Sequence, residues 1–408
     1  MKIAYVSHYF VPEIAAPSVR LHGFGRHWTA EGHEVTVLTG FPNHPTGVIP
    51  PAYQGKILLE ERLDGIRVLR NWLYATPNRG FALKTLGHLS FMISAVALGL
   101  PRLGPVDVVI ATSPTFFTAI SAWVISRLRG VPMVFEVRDL WPAVFVDLGV
   151  LRNPLIIKLL EAMELFFYRQ SAAVVPVTEA FRTAIVKRGI PAEKIHVIPN
   201  GADIETYRPD IDGARMRQEL GLGDRFVVSY MGSHGISHGL STVLDAAQRH
   251  RDQPDVLYLL IGEGAEKEML LATRDQLGLD NVLMLPHQAP ARMPELYAAS
   301  DVCLVPLRDV PIFETFVPSK LFEILAMGRP IIGSVRGEAQ SILERSGGAL
   351  LIPPEDPTAL VAAIDALRHD PARRAAMGRS GRAFLETNYS HASLARRYLE
   401  VLQGLIPR

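Results

Sequence analysis

The chain has 408 residues, of which 48% are hydrophobic and 20% are charged, and its formal net charge is +1. This length allows two or three domains, and the high apolar fraction excludes a disordered chain. The near-zero net charge argues against a nucleic-acid-binding protein, and the single cysteine, Cys303, excludes a disulfide framework and a cysteine-ligated zinc site.

The chain begins with a short apolar run that predicts a strand at Lys2–Ser7. This run is too short for a signal peptide, so we expect a cytoplasmic protein. Seven basic residues and one acidic residue, Asp107, stand between Gly65 and Gly130. This excess suits an anionic membrane surface or a phosphate-bearing substrate, and ordinary solvated faces explain it equally well.

Strand-length apolar runs alternate with helix-length segments along the whole chain. The alternation predicts two doubly wound α/β domains with parallel sheets. We place the first domain at 1–203 and the second at 204–390, and we expect the last helix, within 391–408, to pack back on the first domain. The predicted strands are Lys2–Ser7, Glu34–Leu38, Ile66–Arg70, Asp107–Ala111, Met133–Val137, Ala173–Val177, Lys194–Ile198, Phe226–Met231, Val256–Ile261, Val282–Leu285, Val302–Pro306, Pro330–Ile332 and Ala349–Ile352.

Two helical segments of the first half are unusually apolar. Thr85–Pro101 has no formal charge, but as a helix it would span about 26 Å, less than the ~30 Å of a bilayer core. It is therefore predicted to be a buried or membrane-dipping helix. Pro154–Arg169 is amphipathic, with Ile156 and Leu159 on its apolar face, and it fits either packing on its own sheet or a membrane-surface helix.

Ligands of doubly wound sheets bind beyond the carboxyl ends of the strands, and several unusual loops of this chain follow predicted strands. After the first strand, Pro17 and Ser18 are typical of a helix start and Arg20 lies in its first turn. The loop Thr39–Gly47 contains His44 and is rich in proline and glycine. Arg138-Asp139 follows another strand, where it is either a functional pair or an ion pair that holds a loop.

The second domain contains glycine-rich loops and one charged helix start. Gly232, Gly235 and the Gly262-Glu-Gly264 turn could let a backbone approach a phosphate, although glycines also serve tight turns. Lys320 begins a helix, where a lysine opposes the helix dipole unless an anion binds there, and Glu323 follows one turn later. Lysine for a phosphate and glutamate for a ribose diol predict a nucleotide-diphosphate site. Alternatively, the two form a surface ion pair.

Four segments carry a resemblance to a known family. They are Gly40-Phe-Pro-Asn-His-Pro-Thr-Gly47, Glu136-Val-Arg-Asp-Leu-Trp-Pro142, Ile198-Pro-Asn-Gly201 and Pro318-Ser-Lys-Leu-Phe-Glu323. With these segments the chain resembles the retaining glycosyltransferases of family four, and more narrowly their bacterial O-antigen, capsule and colanic-acid branch, which includes N-acetylfucosaminyltransferases. The resemblance implies the GT-B fold, in which two Rossmann-like domains face each other across a cleft.

The resemblance also implies roles for individual residues. Glu323 matches the ribose-binding member of the family's glutamate pair, and Thr315 stands where the first glutamate is expected. Ser233 and His238 stand where the wider family often has arginine and lysine. We expect catalytic roles for Arg138, Asp139 and Lys320. The expected donor-binding residues are Gly232, Ser233, Gly235, His238, Glu263, Thr315, Ser319, Lys320 and Glu323. The expected acceptor-binding residues are Pro17, Ser18, Arg20 and His44.

The expected reaction moves a hexose or N-acetylamino sugar from a nucleotide-diphosphate donor, a UDP-sugar in the first place, to a saccharide linked to polyprenyl diphosphate. It needs no metal ion and no cofactor, because Lys320, Arg138 and helix ends supply the positive charge at the leaving diphosphate. The protein would act as a peripheral protein at the cytoplasmic face of the inner membrane. The alternatives are a nucleotide-sugar epimerase of the same architecture and a non-catalytic binding protein. The sequence leaves the oligomeric state open.

Overall fold

A computed structural model describes the chain except for residues 14–15, 45, 78–80, 114–116, 144–145, 147–150 and 407–408. The chain divides into two compact units. The N-terminal unit comprises Met1–Asn200 and the segment that starts at His391, and the C-terminal unit comprises Gly201–Ser390. The division falls at Asn200 because Ala202 already belongs to the C-terminal unit, where its N–H donates to the Tyr389 carbonyl at 3.1 Å.

Each unit contains one sheet of parallel strands, and the sheet of the N-terminal unit carries an antiparallel edge strand. Its strands are β1 (Lys2–Val6), β2 (Glu34–Gly40), β3 (Leu58–Leu63), β4 (Ile66–Asn71), β5 (Val108–Thr112), β6 (Met133–Val137) and β7 (Ala173–Pro176), in the order β3-β4-β2-β1-β5-β6-β7. The C-terminal unit has β8 (Phe226–Met231), β9 (Val256–Ile261), β10 (Val282–Leu285), β11 (Val302–Pro306), β12 (Ile331–Ser334) and β13 (Ala349–Leu351), in the order β10-β9-β8-β11-β12-β13.

Helices connect these strands. The N-terminal unit contains α1 (Ala16–Ala30), α2 (Phe81–Ser94), α3 (Leu100–Leu103), α4 (Phe117–Arg129), α5 (Pro154–Gln170), α6 (Glu179–Lys187) and the final helix α15 (His391–Gly404). The C-terminal unit contains α7 (Ala214–Glu219), α8 (Ser241–Arg249), α9 (Lys267–Leu277), α10 (Met293–Ala298), α11 (Lys320–Ala326), α12 (Gly337–Ser346), α13 (Pro357–Arg368) and α14 (Pro371–Asn388).

The order of the strands fixes where a ligand can bind in each unit. In the N-terminal unit the chain order reverses direction between β1 and β5, and in the C-terminal unit it does so between β8 and β11. Loops diverge at such a point and leave a crevice outside the carboxyl ends of the strands. The predicted α/β class with two doubly wound parallel sheets is confirmed.

The sequence-based strands differ from the structure in two places. The edge strand β3 was not predicted, because its alternating Glu and Leu residues are half-exposed and resemble a polar loop. The predicted strand Lys194–Ile198 is wrong. Its backbone donates from His196 to the Val174 carbonyl and from Ile198 to the Pro176 carbonyl, but only an isolated bridge at Ile195 results, since Pro199 ends the pairing.

Helices cover both faces of the N-terminal sheet. On one face, α1 packs against α15, where the indole of Trp28 donates to the Ala395 carbonyl at 2.9 Å and its ring meets Tyr398. On the other face, α4 lies between α2 and α5. Its Ser121 hydroxyl donates to the Met92 carbonyl, and its Trp123 ring contacts Phe166.

The apolar helix predicted at Thr85–Pro101 lies within a longer helical run, in which α2 continues through a π-helical stretch, Ala95–Gly99, into α3. Leu83–Leu103 is long and apolar enough to cross a bilayer by length and composition, and only 28% of its most apolar window is buried. Ile93 is 62% exposed. On α5, Leu155 is 77% and Leu159 60% exposed, so these two leucines of its first half do not pack on the sheet.

Candidate active site

The loops that follow β8 and β9 touch each other at two glycines. Gly232 and Gly262 have φ angles of 148° and 152°, in the region that favours glycine. A Cβ on Gly262 would stand 1.8 Å from the Gly232 carbonyl oxygen, so no larger residue fits there. The predicted close approach therefore occurs between the two loops themselves, which meet beside the crevice between β8 and β11.

Lys320 reaches this same place from the start of α11. Its Nζ lies 3.7 Å from the centre of the Tyr230 ring, and a Cβ on Gly232 would come within 2.6 Å of it. The Nζ atom is buried and has no hydrogen-bond partner within the described residues. Burial lowers the pKa of the Lys320 ammonium to about 7, and the Glu323 carboxylate opposes that shift. A buried ammonium without a bonded partner is a ready site for an anion.

Glu323 lies one turn further along α11 and is held by tyrosines. Its Oε2 accepts a hydrogen bond from the Tyr297 hydroxyl at 3.0 Å, and Tyr207 also bonds to it. Burial raises the pKa of the carboxyl. Lys320 and Glu323 therefore do not point into open water as a surface pair would. They present a cation and an oriented carboxylate next to each other on one helix.

The amino end of α11 differs from the expectation. The helix has seven residues, and Ser319 makes no side-chain cap. The N–H groups of Leu321 and Phe322 already donate to the Pro318 and Ser319 carbonyls, so they are engaged in the turn. The expectation that helix N–H groups bind the anion is therefore wrong for Leu321 and Phe322. The Lys320 side chain is the remaining anion-binding group.

The other predicted donor-side residues occupy the rim of the same crevice. His238 directs Nδ1 towards the Pro306 carbonyl at the end of β11, 3.2 Å away, and its ring is 5.6 Å from that of Tyr230. Ser233 is exposed and its carbonyl accepts from the Tyr230 hydroxyl. Thr315 is half-exposed, and its hydroxyl bonds the Ile312 carbonyl within a short turn. Gly235 and Glu263 lie in the loops after β8 and β9.

Sequence reasoning gave no role to His234, although the structure places it at the centre of these loops. It is fully buried, and neither ring nitrogen has a hydrogen-bond partner within the described parts of the chain. Its backbone N–H donates to the Glu263 carbonyl. Burial and the charges of Lys267 and Lys320 lower its pKa to about 4. Its place in the His-Gly-rich loop after β8 was the available signal.

In the N-terminal unit, Arg138 and Asp139 follow β6 as predicted. Their backbone N–H groups both point to the Ser113 hydroxyl at the end of β5, which ties the two loops together. The Arg138 guanidinium donates to the Asn200 side chain at 3.3 Å. Burial raises the pKa of Asp139 to about 6, and Arg138 opposes the shift. The pair is thus partly desolvated at the carboxyl ends of the strands.

Arg20 is engaged inside the N-terminal unit. It is 3% exposed, its Nε donates to the Glu136 carboxylate at 2.9 Å, and its two terminal nitrogens donate to the Ile198 and Pro199 carbonyls. Glu136 also accepts from the Tyr5 hydroxyl. The structure therefore corrects the expectation of an acceptor contact by Arg20, which instead anchors the end of this unit.

Ser18 and Pro17, in the same turn of α1 as Arg20, are also expected to contact the acceptor. Ser18 is fully buried in the first turn of α1, and its hydroxyl oxygen has no hydrogen-bond partner within the described residues, while Pro17 in that turn is half-exposed. Contacts of both residues with the acceptor stay predictions.

His44 lines a cavity of about 230 Å³ at the carboxyl ends of β1, β2 and β4. His8, Tyr9, Tyr74, Lys84 and His88 are among the other residues of its wall. The Nδ1 atoms of His8 and His88 are 3.4 Å apart. Burial holds the pKa of His8 well below its ordinary value and lowers that of His88 to about 4, so both imidazoles are uncharged at neutral pH.

Glu13 supports the wall of this cavity through hydrogen bonds to the loop that carries His44, and the sequence analysis assigned it no role. Its carboxylate accepts hydrogen bonds from the N–H groups of Asn43 and His44, both at 2.9 Å, and from that of Phe10. Burial raises the pKa of Glu13 to about 7. Glu13 therefore fixes the loop that carries His44 against the loop after β1. No group of three or more His, Cys, Asp or Glu side chains suited to a metal ion occurs within the residues that the structure describes.

Sequence models of two families match the two units in chain order. The Glycosyl transferase 4-like domain matches residues 16–201, and the Glycosyl transferases group 1 domain matches residues 213–384. The chain is a glycosyltransferase that combines these two domains. Neither match supports the nucleotide-sugar epimerase alternative.

Relatives and solved structures agree with this assignment. The chain is 29% identical over 367 residues to the putative colanic acid biosynthesis glycosyl transferase WcaI of Escherichia coli, a match that covers 85% of this chain and 89% of WcaI. It is 34% identical over 196 residues to a D-inositol 3-phosphate glycosyltransferase of Segniliparus rotundus, covering 46% and 42% of the two chains.

The structural matches extend over nearly the full length. Anabaena HepE in complex with UDP-glucose matches with a TM-score of 0.74 at 21% identity, covering 99% of this chain and all of HepE. The sucrose-phosphate synthase of Thermosynechococcus elongatus matches with a TM-score of 0.75 at 19% identity, covering 99% and 98%. These likenesses confirm the GT-B fold class of the two parallel-sheet units.

Proposed function

We propose that this glycosyltransferase moves a sugar from a nucleoside-diphosphate donor to a hydroxyl of a lipid-linked saccharide, with retention at the anomeric carbon. The observation that carries the proposal is the pair on α11, where the Nζ of Lys320 is buried with no bonded partner among the described residues and Glu323 is oriented by tyrosines one turn away. A diphosphate on Nζ and a ribose diol on the carboxylate account for both groups at once.

UDP is the first nucleotide to test as the donor's carrier. HepE, which has the same fold, was solved with UDP and with UDP-glucose, and these complexes support UDP without identifying the sugar. A hexose or an N-acetylamino sugar such as N-acetylfucosamine stays a prediction of the sequence resemblance, as does catalysis without a metal ion. Ser233, Gly235, His238, Glu263 and Thr315 remain proposed donor contacts on the rim.

The main requirement of this reaction is to stabilise the negative charge of the leaving diphosphate. When the sugar–oxygen bond breaks, negative charge develops on the diphosphate, and preorganised cations stabilise it most effectively in a desolvated place. Lys320 is the proposed cation. Arg138 and Asp139 remain proposed catalytic residues, because a partly desolvated charged pair at strand ends is uncommon without a binding role.

The acceptor is proposed to enter the N-terminal unit at the cavity beside His44. Its wall combines tyrosine and imidazole rings with uncharged hydrogen-bonding groups, and Lys84 is the cation among the residues that line it. Such a wall suits a sugar ring whose neighbouring phosphate lies near the lysine. The volume equals that of about seven or eight waters, which is the scale of one monosaccharide.

The apolar surface next to this cavity supports a membrane-bound acceptor. Helix α2 forms part of the cavity wall through Lys84 and His88, while Leu86 and Ile93 on the same helix are exposed. Leu128 lies at the end of α4 that is remote from the cavity, near Leu100, and is 66% exposed between Arg127 and Arg129. Exposed apolar side chains next to basic residues are typical of a peripheral membrane surface. The inner-membrane location is therefore proposed as well, and WcaI supports a role in cell-surface polysaccharide synthesis.

A ligand panel followed by product analysis tests the proposal. We expect UDP or a UDP-sugar to raise the melting temperature more than AMP or inorganic phosphate does, since a ligand of the native state stabilises it by mass action. Transfer is then measured from radiolabelled UDP-sugars to short-chain polyprenyl-diphosphate saccharides. Thr76→Trp, which fills the cavity, should raise the acceptor KM and leave the donor KM unchanged. The absence of any response to nucleoside diphosphates and their sugars would overturn the proposal.

A further inference from the structure

Three basic side chains surround the Tyr230 ring at the carboxyl end of β8, and none of them has a bonded anionic partner among the described residues. Lys320 Nζ is 3.7 Å from the ring centre, while the rings of His238 and His234 are 5.6 and 6.0 Å from it. Within the described parts of the chain, neither ring nitrogen of His234 has a hydrogen-bond partner, and His238 bonds a backbone carbonyl through Nδ1. The site is therefore rich in basic atoms and poor in fixed charge.

The charged groups that pack around this cluster do not change that balance. Lys267 on α9 donates to the Gly262 and Leu285 carbonyls, so its ammonium is occupied. Arg308 pairs with Glu355, as Arg336 does with Asp309, on the loops after β11 and β12.

The acidic groups near the cluster are equally few. Glu263 lies in the exposed loop after β9 and interacts with Lys267, and Glu323 is bonded to Tyr297. Glu323 is the carboxylate that favours the charged form of Lys320. The carboxylate of Glu323 offsets only part of the shift, because the desolvation that lowers the pKa of the Lys320 ammonium is the larger effect.

The two imidazoles add no charge to the empty site. Burial and the neighbouring lysine lower the pKa of His238 to about 3 and that of His234 to about 4. Lys320 itself has a pKa of about 7, so it is the group of the three that changes charge near neutral pH. A dianionic or trianionic ligand at Nζ would favour the protonated amine strongly.

We propose that a nucleoside diphosphate binds at the Tyr230 ring together with a proton, which Nζ of Lys320 takes up from solvent. This inference deepens the proposed function and rests on it. The free site then holds no permanent unpaired cation in its interior, and the cation forms when the anion arrives. Because the diphosphate gains one negative charge when the sugar leaves, the protonated form should be more fully populated with the product than with the donor.

Calorimetric titration with UDP, in parallel with GDP, ADP and dTDP, tests the inference on the whole protein. At pH 8 the heat is measured in HEPES and in Tris, whose ionisation enthalpies differ, and the difference gives the number of protons bound. With a pKa of about 7 in the free site, most Lys320 side chains are uncharged at pH 8, so we expect a net uptake of protons when the diphosphate binds, with an upper limit of one per site.

The pH dependence of wild-type affinity gives a second measurement that needs no variant. The pKa of Lys320 rises on binding, so affinity is full below the free pKa and is lost as pH rises towards the pKa of the complex. We expect the Kd for UDP to increase by about tenfold per pH unit above pH 7.5.

Two variants assign the proton to its carrier. Lys320→Arg keeps a cation that stays charged at pH 8, so it should bind UDP with no proton uptake and a flat pH profile. Lys267→Arg is the matched control on the neighbouring helix and should retain the wild-type uptake. Binding of UDP without proton uptake by the wild type, or equal uptake by Lys320→Arg, would overturn this inference alone. Failure of all four nucleotides to bind would overturn the proposed function with it.

Discussion

The charged residues of the two units are used in opposite ways. In the N-terminal unit, Arg20 and Glu136 are almost fully buried and bonded to each other and to nearby polar atoms. In the C-terminal unit, the buried Nζ of Lys320 has no bonded partner within the described residues. A buried charge whose hydrogen bonds are complete stabilises a fold, whereas a buried basic group whose bonds are incomplete is available to a ligand. The comparison separates groups that hold the structure from groups that bind.

The largest expected effect comes from breaking the bonded pair. Arg20→Ala leaves the Glu136 carboxylate buried without its cation, and we expect the unfolding free energy of the N-terminal unit to fall by about 3–5 kcal/mol. Urea denaturation followed by Trp28 and Trp123 fluorescence measures it. Arg67→Ala is the control, because the pair of Arg67 with Glu60 is more exposed and should lose about 1 kcal/mol or less. Equal losses of unfolding free energy in both variants would contradict the view that the buried pair of Arg20 and Glu136 holds the structure.

The second effect concerns binding rather than folding. Glu323→Ala should weaken the affinity for UDP by about 1.5–3 kcal/mol, because the hydrogen bonds from the ribose hydroxyls to a charged oxygen are lost. Calorimetry at pH 7 measures it. Tyr297→Phe removes the hydroxyl that orients the carboxylate but keeps the carboxylate itself, so its loss should be smaller. A donor KM and UDP affinity that do not respond to Glu323→Ala would show that the ribose binds elsewhere.

The third prediction uses the pH dependence of stability to test the protonation state of the buried Glu13 carboxyl. Its folded pKa of about 7 lies above the unfolded value of 4.5, so its contribution to stability is full below pH 4.5 and is lost as pH rises through 7. Glu13→Gln removes this dependence. Relative to the wild type, the variant should gain about 1–3 kcal/mol between pH 5 and pH 7.5.

The difference between the two Glu13 profiles is the quantity to follow by thermal denaturation. His8 and His88, with lowered pKa values, change the stability of both proteins in the opposite direction over the same pH range. Parallel curves for wild type and variant would show that Glu13 is ionised at all these pH values.

The smallest effect on stability is expected at exposed apolar side chains, which take part in no charge pair. Leu155→Ser and Leu159→Ser change side chains that are 77% and 60% exposed, so the unfolding free energy should move by no more than about 0.5 kcal/mol. Because the sequence of α5 also fits a membrane-surface helix, the same pair of changes should reduce sedimentation with vesicles containing phosphatidylglycerol at low salt. Wild-type protein that fails to sediment with these vesicles would contradict the proposed membrane surface.

The sequence was most informative where hydrophobic pattern and glycine spacing act together. Buried parallel strands such as Met133–Val137 and Phe226–Met231 were located to the residue, because both faces of these strands are apolar. Lys320 and Glu323 were found because three residues along a helix place them on one side. The half-exposed edge strand β3 carries no comparable pattern.

Long-range partners set the limits of the sequence reasoning about the site. Arg20 was assigned to the acceptor because its position in a helix start fits an anion, but Glu136 stands 116 residues away in the chain and engages it. Glu13 and His234 were missed for the same reason, since their roles depend on loops that meet only in the folded unit. Local sequence shows which residues can ionise, and tertiary contacts decide which of them are already bonded.

The final helix has a consequence for the order in which the protein is made. Helix α15 supplies the Ala395 carbonyl to the Trp28 indole and packs Tyr398 against it, yet in the chain it follows the whole C-terminal unit. The N-terminal unit therefore cannot complete its core until the segment that forms the C-terminal unit has been synthesised. A chain that ended at Ser390 would leave Trp28 without the cover of α15.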